Sequence, residues 1–373
     1  MEEVKEIKEE TKKEDSIIND EIVSKTAAKL NIKPNQAKEV LLMLNDDKTV
    51  AFIARYRKEA TGGLDEEVIR AIEEDYKYEV NLKKRKDDVI RLIAEKELLT
   101  PELEEKINNA TKLIEVEDLY RPYKEKKKTK ATEAIALGLE GLADVMMRNY
   151  QKGERDYYIM PYLNDNVPTA EKALEYAKYI VAERISDNAD YRSYIRDKAL
   201  IYGTISTHKK KNDNDPEEKY KIYYEFSESI SRIKPHRLLA INRAEDEEVI
   251  NVNVELQPER DIDYLTYKVT WNRESLFKDE LIEAVNDAYK RLIAPSIARE
   301  IRTIKNEEAE AQAIKIFALN LKNLLLQPPM KEKTVLGVDP AFRTGCKLAV
   351  ISPQSNVLDI SVIYPNEKTK GSE

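Results

Sequence analysis

A chain of 373 residues with 41% hydrophobic content is long enough for two or three domains and apolar enough to fill their cores. One cysteine, Cys346, excludes an internal disulfide and a cysteine-cluster zinc site, and two histidines far apart, His208 and His236, argue against a histidine metal site. Charged residues at 36% beside only 9 glycines point to long helices with solvated faces, and a net charge of -8 argues against a protein that coats nucleic acid over its whole surface.

No apolar run reaches the roughly 18 residues that span a bilayer, and the acidic start Met1-Glu2-Glu3 is unlike a secretory signal. A cytoplasmic location, no membrane partner and no cofactor are therefore expected. The charge is uneven: Met1 to Glu21 carries nine acidic and four basic residues, whereas Arg121 to Lys130 carries six basic and one acidic.

Along the chain, residues 1–19 are charged and poor in apolar side chains, and read as a disordered leader. Ile22 to Leu30, the break Asn31-Ile32-Lys33-Pro34, and Ala37, Val40, Leu41 and Leu44 at helical spacing predict a helix–turn–helix pair. Gly62-Gly63 can stop one helix and Asp65 cap the next, with Leu64 stapled to Ile69. The new helix carries an apolar face through Ile69, Ile72, Tyr76, Val80, Ile90 and Ile93, and Thr100-Pro101 begins another.

The basic stretch RPYKEKKKTK, without apolar periodicity, reads as a loop. Helices are predicted over Ala131 to Tyr150 and Ala170 to Tyr202, a polar loop over Lys209 to Glu218, and one strand where Ile250, Val252, Val254 and Leu256 alternate with polar residues. Helix returns from Lys278 to Leu326, with a kink or boundary at Pro295, and Gln327-Pro328-Pro329 ends it. Beyond lie three strands, Thr334 to Asp339, Lys347 to Ile351 and Val357 to Tyr364. The fold class expected is mostly α: a multi-helix region with helix–turn–helix elements and a short β segment over 20–329, then over 330–373 the first three strands of an incomplete RNase H-like α/β domain.

Several of these segments resemble the Tex family of bacterial transcription accessory proteins: FIARYRKEATGGLDE, EDLYRPYKEKKKTKATEAIALGLEGLA, LIAPSIAREIR followed by FALNLKNLLLQPP, and VLGVDPAFRTGCKLAVI, in matching order and spacing. The resemblance runs from about Asp20 to Tyr364. It implies a helical N-terminal region, an RNase H-like (YqgF-like) domain, helix-hairpin-helix motifs and an OB-fold RNA-binding domain, of which this chain ends inside the second. It also implies work near RNA polymerase and RNA, so the expected partners are nucleic acid, RNA or single-stranded DNA weakly bound, and RNA polymerase.

By the same resemblance, VLGVDPAFRTG is similar to the first strand of an RNase H-like nuclease, and Asp339 holds the position of a metal-binding carboxylate. Two-metal chemistry needs further carboxylates from later in that fold, so the position is read as vestigial or incomplete, with no metal and no catalytic residue expected. Alternatively Asp339 ends a strand and caps its turn.

Arg121, Lys124, Lys126, Lys127, Lys128 and Lys130, with Tyr120 and Tyr123 beside them, can line a phosphate backbone while a ring stacks on a base. They can equally form a solvated loop, or pair with acidic surface elsewhere. Arg55, Arg57 and Lys58 beside Gly62-Gly63 can present cations to phosphate, or cap their own helix and pair with nearby acids. The second helix of the Ile22–Leu44 pair is poor in base-reading residues, which favours packing. His208 reads as an exposed loop residue, and Trp271 as a core anchor. A non-catalytic nucleic-acid-binding accessory scaffold is the reading favoured over a metal-dependent nuclease or resolvase and over a helical protein-interaction module.

Overall fold

The computed structural model describes residues 18–211, 214–328, 330–341 and 345–364. The expected leader lies outside them up to residue 17, as do Pro329 and residues 342–344 of the VLGVDPAFRTG segment. Two compact units form, one from residues up to Ile233 together with Ala244–Ile304, the other from Lys234–Arg243 and the chain from Lys305 on.

The first unit opens on a capped helix and a turn. The Asn19 side chain accepts the backbone N–H groups of Glu21 and Ile22 to start α1 (Asp20–Lys29), and Pro34 sits in the first turn of α2 (Pro34–Asn45). Both helices bury their apolar stripes in a first core, Val23 and Ala27 from one, Ala37, Val40 and Leu41 from the other. Two short helices follow, α3 (Val50–Tyr56) and α4 (Lys58–Thr61). Gly62 then takes φ +68°, a left-handed conformation that calls for glycine, with a Cβ there 2.6 Å from the end of the Gln36 side chain. Asp65 caps α5 (Glu66–Ala94), accepting from Val68 N–H at 2.9 Å, and Leu64 packs on the core that holds Ile69.

The helix α5 is a spine for two cores. Ile69 and Ile72 enter the first, while Leu82, Val89 and Ile93 enter a second built with Ile107, Val116 and Tyr120. That second core takes in α6 (Pro101–Asn109), capped by Thr100, and α7 (Leu113–Tyr120), which tightens into a 3-10 turn at Arg121–Tyr123. After the basic segment come α8 (Lys130–Ala136), α9 (Glu140–Met147), α10 (Arg155–Ile159), α11 (Ala170–Ser186) and α12 (Ala189–Tyr202). The small buried residues Ala173, Ala177 and Val181 let α8 and α9 approach α11 closely.

Where one strand was expected over Ile250 to Leu256, a three-stranded antiparallel sheet is found. Its centre is β1 (Thr204–Lys209), flanked by β2 (Glu225–Ser229) and β3 (Ile250–Glu255). His208 is consequently a strand residue rather than a loop one; it stays exposed, its Nδ1 2.8 Å from Glu225 Oε2. Next come α13 (Pro235–Asp246), α14 (Pro258–Thr270) and α15 (Lys278–Asp287). A π turn at Ala288–Ile293 runs directly into α16 (Ala294–Leu325), so the helix passes Pro295 without breaking. Proline has no N–H and crowds the preceding turn, and the wider π turn ahead of it gives that room.

Within the second unit, Asn242 Nδ2 donates to Asn306 Oδ1 at 3.0 Å. The tail forms β4 (Val335–Asp339), β5 (Cys346–Ile351) and β6 (Val357–Ile363), an antiparallel meander in the order β4-β5-β6. Leu336, Val338, Leu358 and Ile360 of this sheet are exposed. The architecture is mostly α with two small sheets, and no helix among the described residues is long and apolar enough to cross a membrane.

Candidate nucleic-acid interface

The basic segment is anchored at the C-terminal end of α11. Arg121 Nε reaches Asp187 Oδ1 at 3.0 Å, and the Lys126 ammonium bridges Glu183, at 2.5 Å, and Asp187. These two cations meet both carboxylates and the partial negative end of the helix. Burial alone would lower the Lys126 pKa; the hydrogen bonds it donates to Asp187 and Glu183 outweigh that and hold the ammonium above its ordinary value. Lys124 pairs with Glu117, which also takes Arg85 Nε at 2.6 Å. Burial would raise the Glu117 carboxyl, but Arg85 and Lys124 together hold it below the usual range.

Behind this layer lies a buried ion cluster. Arg192 and Arg196 of α12 share Asp118 of α7 and Glu300 of α16, with Arg192 Nε 2.7 Å from Asp118 and Arg196 Nε 3.0 Å from Glu300. Ser296 Oγ accepts from Arg192 at 3.0 Å. Two cations face two anions, which is the balance that makes such burial tolerable. A cleft of about 340 Å³ opens beside it, lined among others by Lys106, Asp118, Tyr123, Asp187 and Asp190, with Asp118 and Asp187 already paired to cations.

The candidate residues thus divide. Arg121, Lys124 and Lys126 are engaged by the chain's own carboxylates, and Tyr123 is half-buried against the second core, with Lys96 Nζ donating to its carbonyl at 2.7 Å. Tyr120 is buried, with Arg85 and Lys124 over its ring at 5.5 and 5.4 Å, so it cannot receive a base. Left towards solvent are Lys127, Lys128, whose side chain is 83% exposed and 3.5 Å from Glu133, and Lys130, whose ammonium sits 4.5 Å above the Tyr179 ring. Sequence reading missed Tyr179 because it enters from α11, 49 residues away. The anchoring carboxylates Glu183 and Asp187 escaped it for the same reason, although a helix end carrying two acids, where cations are normally favoured, was a signal.

Arg55, Arg57 and Lys58 lie elsewhere, at the α3–α4 junction against the first core. Arg55 is 3.8 Å from Glu66, and the Arg57 guanidinium lies 5.4 Å from the Phe52 ring centre. Asp339 is the last residue of β4, exposed and in register with Lys347. No group of three or more histidine, cysteine or carboxylate side chains suited to a metal ion occurs among the described residues.

A helical region with these cores, a small sheet after α12 and a β4–β6 meander at the end defines a recognisable class of chain. Three family models match it in order: the Tex-like protein N-terminal domain over residues 20–94, the Tex central region over 153–317 and the Tex protein YqgF-like domain over 333–373. The chain belongs to the Tex family and ends within the YqgF-like, RNase H-like domain, of which β4–β6 are three strands. The basic segment falls between the first two matches.

Among curated relatives, "Uncharacterized protein YdcI" of Bacillus subtilis is 48% identical over 350 residues, 92% of this chain and 49% of that protein. "Transcriptional accessory protein Tex" of Neisseria gonorrhoeae is 34% identical over 352 residues, 93% of this chain and 46% of that protein. "S1 RNA-binding domain-containing protein 1" of Homo sapiens is 31% identical over 366 residues, 94% of this chain and 37% of that protein. The chain therefore spans about half the length of the two bacterial relatives, and less of the human one.

Proposed function

We propose that this chain is a non-catalytic, nucleic-acid-binding transcription accessory scaffold that meets single-stranded nucleic acid at Lys127, Lys128 and Lys130, works beside RNA polymerase, and carries Arg55, Arg57 and Lys58 as a second, weaker cationic patch. The observation that carries the reading is the division of labour in the basic segment: Arg121 and Lys126 fasten it to α11, and the three lysines beyond are left for phosphate. The names of the relatives, transcriptional accessory protein and S1 RNA-binding domain-containing protein, support the ligand class. A fixed loop loses little conformational freedom on binding, which favours even a weak contact.

The test is anisotropy of a labelled single-stranded RNA, titrated between about 50 and 200 mM salt, with the intact chain and with Lys127, Lys128 and Lys130 all changed to Gln. Each lost phosphate contact flattens the line of log affinity against log salt by about 0.7 for a single strand. The triple variant is expected to bind more weakly with a slope lower by about 2. An unchanged slope overturns the assignment to these lysines.

A further inference from the structure

The helices α12 and α14 and the residue after α14 carry six aromatic rings, of which Tyr194, Tyr202, Tyr267 and Trp271 are exposed and Tyr191 and Tyr264 half-buried. The buried face of α12 is Arg192, Ile195, Arg196 and Ala199, and Tyr191, Tyr194, Lys198 and Tyr202 form a stripe along one side of it. The buried face of α14 is Asp261, Leu265, Val269 and Thr270, which leaves Arg260, Tyr264, Tyr267 and Lys268 outward, with Trp271 directly after. Tyr194 and Tyr264 stack across the two helices at 3.7 Å and 14°, and Tyr191 meets Tyr264 edge-on at 6.1 Å.

A cation accompanies four of the six rings, Tyr194, Tyr202, Tyr264 and Trp271. Lys198 lies 5.5 Å from Tyr194 and 5.6 Å from Tyr202, Arg260 5.8 Å from Tyr202, Lys268 5.7 Å from Tyr264, and Arg273 5.4 Å from Trp271. Four of the rings stay open to solvent: Tyr194 is 37% exposed, Tyr202 48%, Trp271 59% and Tyr267 60%. Trp271 also adopts φ +52°, a left-handed conformation costly for a bulky residue, which holds the indole outside the helix rather than in the core.

We propose that this aromatic and cationic ladder is a second binding site, a platform on which successive bases of a single-stranded nucleic acid stack while Lys198, Arg260, Lys268 and Arg273 meet its phosphates. The inference rests on the nucleic-acid reading above for its class of ligand, but not on the lysines assigned there. Flat rings receive any base, and a cation seated on a ring can move to phosphate as the base arrives. Arg260 to Trp271 spans about 17 Å of helix, room for up to about five stacked nucleotides at ~3.4 Å each. A protein partner would be met by exposed aliphatic side chains as well; on these two helices Ile201 alone among the large aliphatics is exposed. Asp190 and Asp263 border the ladder and keep the strand on the side of Lys198 and Arg260.

Trp271 is the only tryptophan of the chain, so its fluorescence reports on this surface alone. The experiment adds a single-stranded oligothymidine, an abasic strand of equal length and an acidic peptide to the intact chain, to the Lys127/Lys128/Lys130→Gln variant, and to a Tyr194→Leu, Tyr202→Leu variant that keeps apolar volume. The ladder predicts quenching by the base-bearing strand, retained when the three lysines are neutralised, and little quenching by the abasic strand. It further predicts about tenfold weaker binding or more for the tyrosine variant. Should that variant misfold, the contrast between base-bearing and abasic strands on the intact chain decides alone. No quenching by the oligothymidine, while anisotropy still shows lysine-dependent binding, overturns the ladder and leaves the basic segment standing. A response to the acidic peptide instead makes the ladder a protein-docking face and overturns the inference.

Discussion

Asp261 of α14 is buried at 4% exposure, and its carboxylate accepts the Tyr289 hydroxyl at 2.8 Å. Burial pushes the Asp261 carboxyl above its usual range, an effect the tyrosine only partly offsets, and burial likewise pushes the Tyr289 hydroxyl up. An acid whose pKa is raised on folding binds its proton more tightly in the folded state, so stability falls as pH rises from the unfolded value, near ~4, through the folded one. Asp261→Asn removes the charge while its amide oxygen can still accept from Tyr289. Denaturant unfolding at acidic and at neutral pH is expected to show the variant gaining on the parent chain towards neutral pH. A gap between the two that does not change with pH would mean that Asp261 stays ionised at no cost.

At the scale of elements, Asp118 ties α7 to α12, and Glu300 ties α12 to α16, through the same two arginines. Asp118→Ala would leave Glu300 as the one carboxylate of the cluster for Arg192 and Arg196, and removing one partner of a buried pair costs about 3–5 kcal/mol. A fall of several degrees in the thermal midpoint is expected, whereas a change within about 0.5 kcal/mol would place the pair in the class of surface contacts. This cluster could not be read from sequence, because its members run from Asp118 to Glu300 along the chain and each alone looks like a solvated charge on a helix. What the sequence did disclose was local. Asp65 and Thr100 cap where capping chemistry predicts, and Pro34, Gly62 and Pro101 sit where their backbones fit.

Tertiary packing overrode the pattern elsewhere. On α5, Leu82 and Val89 are buried and Val80 and Ile90 only half-buried, because the helix serves two cores and its apolar face shifts phase between them. The strands β1 and β2 escaped notice because TISTHK and EFSES carry no apolar alternation; buried Ser206 and Thr207 are satisfied by Glu255 and the Tyr223 carbonyl. Trp271, expected as a core anchor, stands exposed at the end of α14, since a left-handed residue after a helix projects outward whatever its hydrophobicity. Of the candidate site, the charge density of Arg121 to Lys130 was legible, but not which cations remain for a ligand, since that is set by Glu183 and Asp187 on another helix.

Across the whole molecule, a net charge of -8 makes any contact with nucleic acid a local one, confined to patches where acids are absent or already paired. The first unit carries the two surfaces proposed for it, the lysines after Lys126 and the ladder on α12 and α14, the second with Asp190 and Asp263 at its border. The second presents an exposed β4–β6 sheet whose outward residues are chiefly apolar. Photocrosslinking of a single-stranded RNA carrying 4-thiouridine, followed by mapping of the modified peptides, locates the ligand without presuming any residue. Crosslinks are expected on the Lys124–Lys130 segment and Tyr179, and on Tyr194, Tyr202 or Trp271, all fading as salt rises. Crosslinks confined to α1 and α2 or to the β4–β6 sheet, with none on the basic segment, would contradict the assignment of nucleic-acid binding to this surface.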